Sequence, residues 1–162
     1  MSLLRLLAAV CPLLGKQPFH PCGGFFDEEF AADTQRLFAE IVNGRFSIVV
    51  SEVTTQELVE APEDVRNLLA RIPAANLDIV AQSAEALTLA ERYVQKGALT
   101  EKFISDAQHI AVATLERVDS LVSWNFRHMV NFFRIRQYNA INLKNVYSLI
   151  DIRSPREVVY EN

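Results

Sequence analysis

The chain has 162 residues, half of them apolar, with 16 Lys and Arg against 20 Asp and Glu. That length suits one domain with a substantial core, and the composition excludes disordered, collagen-like and disulfide-scaffold chains. The net charge of −4 argues against a protein that coats nucleic acid nonspecifically, while leaving room for a local basic face.

Residues 1–22 differ in style from the rest. MSLLRLLAAVCPLLGK has one early Arg and a short apolar run, which mimics a secretory signal but lacks its small-residue cleavage pattern. Pro18 and Pro21 argue against a central strand in the stretch that follows, since proline cannot donate to a sheet ladder. His20 between Cys11 and Cys22 lacks a fourth ligand and regular zinc spacing. This segment is therefore set apart as a leader, with the domain expected over residues 23–162.

From Gly23 the pattern becomes regular. Phe30, Leu37, Phe38, Ile41 and Val42 form a helical stripe that stops at Asn43-Gly44. FSIVVS (46–51) is expected as a buried strand, VTTQELVEA (53–61) as a short helix, and Pro62 opens another through Ile72. LDIVA (77–81) is a second strand, SAEALTLAERYVQKG (83–97) a helix with a Gly stop, and residues 103–118 a further helix. SLVSW (120–124) is a third strand, NFRHMVN (125–131) opens a helical stretch, and LIDIRS (149–154) is a last strand. Strands alternating with helices imply right-handed crossovers and a mainly parallel sheet covered on both faces, an α/β fold. No segment reads as a membrane span.

Three polar residues stand out. On the helix over 103–118, Phe103, Ala107, Ile110, Ala111 and Thr114 make the buried stripe, and Asp106 falls at its edge. A carboxylate there is partly desolvated and needs a partner, although the helix N-terminus itself favours an anion. Glu57 follows the first regular strand, and Thr54-x-x-Glu57 also fits a capping box. Asn125 follows SLVSW, at a strand's carboxyl end where open α/β sheets place ligands, and is equally a good N-cap. His109 and His128 are expected on a helix surface and in a turn, and Trp124 in the core. If Glu57, Asp106 and Asn125 converge, their oxygens suit Mg2+ or Mn2+, hard cations that also bind phosphate. There is no GxGxxG, no phosphate-binding GxxxxGK[ST] loop and no GxSxG elbow.

Charge is uneven. Asp27 to Asp64 holds ten acids and two bases, whereas Trp124 to Arg156 holds six bases and one acid. The pattern fits either two solvated faces or an acidic centre beside a surface that attracts a polyanion.

GGFFDEEF, SEVTTQELVEAP, SDAQHIAVAT, LVSWNFRHMVN and IDIRSPREVV together resemble the PIN-domain family, particularly the VapC-like ribonucleases of toxin–antitoxin systems. The resemblance covers about residues 23–162. It implies a three-layer α/β/α fold with a central parallel sheet, an acidic pocket for Mg2+ or Mn2+, and single-stranded RNA as the substrate of an endoribonuclease. It further implies a cognate antitoxin, a homodimer and a cytoplasmic protein without membrane attachment. The family's later acids fall on Glu57 and Asp106, and its strand-end Asp or Asn on Asn125, with Ser123 beside it. Arg127, Arg134 and Arg136 are the expected RNA contacts.

The family's first strand ends in an acid, and counting back from Gly23 lands on Pro18. No acid precedes Asp27, which lies well past that motif. The expected consequence is a sheet without its usual first strand and a site short of one metal ligand, as a frame-shifted or wrongly started leader would leave it. The alternative expectation is therefore a catalytically inactive RNA- or antitoxin-binding protein on the same fold.

Overall fold

The computed structural model describes residues 3–9, 28–59 and 63–160. Cys11, Pro18, His20, Pro21, Cys22, Asp27 and Pro62, and the side chain of Phe30, lie outside the described residues. The elements are β1 (Leu4–Ala8), α1 (Glu28–Val42), β2 (Phe46–Ser51), α2 (Glu52–Val59), α3 (Glu63–Ala70) and β3 (Leu77–Val80). They continue as α4 (Ala84–Gln95), α5 (Ile104–Leu115), β4 (Ser120–Val122), α6 (Phe132–Lys144), β5 (Ile152–Arg153) and α7 (Pro155–Tyr160). All strand pairings are parallel, in the order β3-β2-β1-β4-β5. The expected α/β architecture is met.

The largest departure from expectation is at the start of the chain. Residues 4–8, set apart as a leader, form the central strand. Leu6 is aligned with Ile48 of β2 and Ser120 of β4, and Leu7 with Val49 and Leu121. The physical reason is burial on both faces. Leu6 and Ala8 join Leu37, Phe38, Ile41, Trp124 and Val159 on one side, while Leu7 and Ala9 join the apolar residues of α4 and α5 on the other. A strand covered on both sides needs a continuous apolar run rather than alternation, and LLRLLAA provides one. Its lone Arg5 sits at the amino end of the strand. There its backbone N–H donates to the Asp119 carboxylate (2.6 Å), and its guanidinium donates to the Glu116 carbonyl (3.0 Å) and the Asp78 carboxylate (2.8 Å).

The two faces give three layers. α4, α5 and Tyr138 of α6 cover one side, and α1 with Val159 of α7 covers the other. Helix α1 stops where Gly44 adopts φ 75° and the Gly44 N–H donates to the Ile41 carbonyl (3.0 Å), as the Asn43-Gly44 stop implies. The stretch 125–131 differs from expectation. It is a turn, and α6 begins only at Phe132, with Asn131 as N-cap accepting from the Arg134 N–H (3.2 Å). The buried Tyr138 hydroxyl donates to the His128 carbonyl (2.5 Å) and holds that turn against the helix. The last strand is shorter than LIDIRS, only Ile152–Arg153.

Candidate functional site

The strand order reverses direction at β1. The chain moves from β1 to β2 and β3 on one side, then crosses to β4 and β5 on the other. The crevice outside the carboxyl ends of β1 and β4 is the topological switch point, where open α/β sheets bind their ligands. Glu57 on α2 follows β2, Asn125 follows β4, and Asp106 lies in the first turn of α5. The residues singled out in sequence therefore come from elements that flank the end of β1.

The Thr54-x-x-Glu57 capping box is not formed. Helix α2 begins at Glu52, so Thr54 is inside it, and the helix start is served by the Ser51 hydroxyl, which accepts from the Thr54 N–H (3.3 Å). The Thr54 hydroxyl donates to the Ala8 carbonyl (3.3 Å), tying α2 to the end of β1. One turn further on, the Glu57 carboxylate points across to α5. Its Oε1 accepts from the Ser105 hydroxyl (2.8 Å), and its Oε2 lies 3.1 Å from His109 Nε2. His109 is 1% exposed and not on a helix surface as expected, and its Nδ1 has no hydrogen-bond partner among the described residues. Ser105 and His109 are the residues that sequence reasoning missed. They are four apart on α5 and share a face, a signal that gains meaning only once α2 is known to pack there.

Asp106 is half-buried and Asn125 is buried. Asn125 Nδ2 donates to Asp106 Oδ2 (3.0 Å), while Asn125 Oδ1 accepts from the His128 N–H (2.9 Å). That pair of partners fixes the amide orientation, because a carboxylate takes only donors and an N–H only acceptors. The Asn125 N–H in turn donates to the Ser123 hydroxyl (3.0 Å). Asn125 is therefore no helix N-cap. It orients Asp106 and braces the turn, with its own oxygen directed at backbone.

His128 is buried in that turn, its ring 3.8 Å from the Phe103 ring centroid and tilted by 33°. Neither ring nitrogen has a hydrogen-bond partner among the described residues. Burial above all, then the charges of Arg127 and Arg134, push its pKa below the ordinary histidine value. Of the three arginines expected to meet RNA, Arg127 and Arg136 are exposed. The half-buried Arg134 guanidinium donates to the Ala98 carbonyl, so it is engaged in joining α6 to the α4–α5 connection. Trp124 is in the core as expected, 1% exposed, its Nε1 donating to the buried Thr34 hydroxyl (2.8 Å).

No family model and no curated protein matches this sequence. No helix among the described residues is long and apolar enough to cross a membrane.

The donor set bears on a metal. Among the described residues no group of three or more His, Cys, Asp and Glu is assembled around one point. β1 ends on Ala8 and is followed by Ala9, so no acid lies at the carboxyl end of the central strand within the described residues. Glu57 and Asp106 remain as two carboxylates, each held by a neutral donor, a serine hydroxyl or a carboxamide. Mg2+ is commonly held by one or two carboxylates, with water and phosphate oxygens completing its octahedron.

Proposed function

We propose that this protein is a metal-dependent endoribonuclease of the toxin–antitoxin type, acting on single-stranded RNA. The observation that carries the reading is the placement of Glu57 and Asp106 beside the switch point of a parallel sheet, next to a stretch without acids. Between Asp119 and Asp151 the chain has no acidic residue and carries Arg127, Arg134, Arg136 and Lys144. The resemblance to PIN domains supplies the substrate class, the cognate antitoxin as partner, the homodimer and the cytoplasmic setting.

Glu57 and Asp106 would hold Mg2+ or Mn2+. When bound, such a cation polarises a phosphate oxygen and offsets the charge that develops in an in-line displacement. The protein's own residues set the geometry. Ser105 and His109 fix the Glu57 carboxylate, Asn125 fixes that of Asp106, and Ser123 fixes Asn125. Arg127 and Arg136 offer positive charge to the RNA backbone.

A second reading has a specific observation in its favour. The alanines at the end of β1 supply no ligand, which favours a protein that keeps the RNA or antitoxin contacts without cleavage. The two separate in a cleavage assay on a fluorescent single-stranded RNA with Mg2+ or Mn2+. Activity in the parent that is abolished in Asp106→Asn and Glu57→Gln supports the nuclease. Equal background in all three proteins supports the binding protein.

A further inference from the structure

The first turn of α6 carries two exposed aromatic side chains side by side. Phe132 is 67% and Phe133 76% exposed, in a chain whose Trp124, Tyr93 and Tyr138 are almost wholly buried. Their rings meet edge to face, 5.5 Å between centroids at 79°, and the Arg136 guanidinium lies 5.6 Å from the Phe132 ring centroid. Helix α6 turns Tyr138 into the core. At about 100° per residue, Phe132 and Phe133 lie roughly 120° and 140° around the helix from Tyr138, so neither can reach the core. Leaving two phenyl rings in water is unfavourable, and neither the sheet nor its helices use them.

We infer that Phe132 and Phe133, with Arg136, form a stacking platform for the unpaired bases of a single-stranded RNA. Charge points to the occupant. The platform lies in the stretch from Asp119 to Asp151 that has no internal acid, with the exposed Arg127 preceding it and Arg136 one turn beyond. An acidic polymer with aromatic faces matches exposed rings interleaved with guanidinium groups, because every base offers a π-face and every nucleotide a phosphate. The platform is seven residues along the chain from Asn125, close enough that one strand can span both. The inference rests on the ribonuclease reading for its substrate and adds where the strand is gripped.

The test is fluorescence anisotropy of a labelled mixed-sequence 12-nucleotide RNA, with EDTA present so that binding is read apart from cleavage. An abasic oligomer with the same number of phosphates serves as comparison. Stacking of one or two bases predicts that F132A/F133A weakens RNA binding by about 10- to 100-fold, with little change for the abasic oligomer. F132L/F133L keeps apolar bulk without aromatic faces and should lose nearly as much. R136Q should lower the salt slope of binding by about one. Far-UV circular dichroism checks that the variants remain folded, as exposed positions allow. Unchanged RNA binding in F132A/F133A overturns the platform, as does an equal loss for RNA and the abasic oligomer. A parent that binds no RNA overturns it too. If the phenylalanine changes instead dissociate a dimer while RNA affinity stays the same, the rings serve a protein partner and the inference fails. Cleavage with Mg2+, measured separately, decides the nuclease reading. Cleavage with unaltered RNA binding sinks the platform alone, and RNA binding lost in F132A/F133A without cleavage in the parent sinks only the nuclease.

Discussion

The central position of β1 makes a quantitative prediction, because Leu7 and Leu4 occupy the same short strand in opposite environments. Leu7 is 0% exposed, flanked by Val49 and Leu121 on the neighbouring strands, which are also 0% exposed, and covered by α4 and α5. Leu4 is 48% exposed. Leu7→Ala removes the buried side chain from a wall that cannot collapse, since its two lateral neighbours are held by sheet hydrogen bonds. The expected cost is about 3–4 kcal/mol, in the middle of the range for buried leucines. Leu6→Ala, on the opposite face, should cost about 2–4 kcal/mol, and Leu4→Ala under about 1 kcal/mol. Equilibrium unfolding in urea reads these differences, with the single, buried Trp124 as fluorescent probe. With a slope of about 2 kcal/mol/M for a domain of this size, Leu7→Ala should lower the midpoint by about 1.5–2 M and Leu4→Ala by under about 0.5 M. Equal midpoints for the two variants at an unchanged slope would refute a central strand at residues 4–8. They would return that segment to the role of a leader.

Three further outcomes follow from other parts of the fold. His128 has its pKa lowered by burial and by Arg127 and Arg134, so the unfolded chain binds its proton more readily. The stability linked to it is present above about pH 6.5 and is lost as pH falls through that value toward the lower folded pKa. Urea midpoints at pH 7.5 and 5.5 should therefore differ more in the parent than in His128→Phe; the same difference in both would remove His128 as the cause. Gly44 and Gly97 have φ of 75° and 73°, and a Cβ on Gly44 would meet Asn76 Nδ2 only at an ordinary 3.5 Å. Gly44→Ala and Gly97→Ala should each cost about 1–2 kcal/mol in urea unfolding, from backbone conformation alone. A much larger loss at Gly44 would mean that crowding, not φ, is the cause. Trp124→Phe leaves the buried Thr34 hydroxyl without the indole donor and should destabilise by about 1–3 kcal/mol, read by circular dichroism. A loss equal to that of Thr34→Val combined with Trp124→Phe would show that the two groups act as one pair.

The elements that sequence marks well are those whose composition or ends carry their own signals. Helix α1 shows a stripe that ends in a glycine at positive φ, and β2 is a short apolar run enriched in β-branched residues. β1 escapes the same reading for a physical reason. A strand buried on both faces and a signal-like leader have the same text, a short apolar run with a base near its start. What separates them is where that base goes, and Arg5 reaches Asp78 and the 116–119 turn, partners 73 to 114 residues away. The turn at 125–131 is ambiguous for a related reason. Both Asn125 and Asn131 are good caps, and in the fold Asn131 accepts from the Arg134 N–H at the helix start while the Tyr138 hydroxyl holds the preceding turn through the His128 carbonyl.

The candidate site was legible as far as local rules reach. Asp106 at the edge of a buried stripe and Glu57 just past a strand are misplaced for a simple core, and that is visible from spacing alone. Their restraints are not, because each comes from another part of the chain. Ser105 is 48 residues and His109 52 residues from Glu57, and Asn125 is 19 from Asp106. These restraints have different chemistry. Asp106 is oriented by a neutral carboxamide whose other end is fixed to backbone, whereas Glu57 shares its oxygens with a hydroxyl and an imidazole. Substitution of Asp106 should therefore be felt whether the protein cleaves RNA or only binds it. Asp106→Asn leaves the Asn125 amide facing a carboxamide, so the loop bearing Arg127 and leading to Phe132 loses a charge-assisted hydrogen bond together with the candidate ligand.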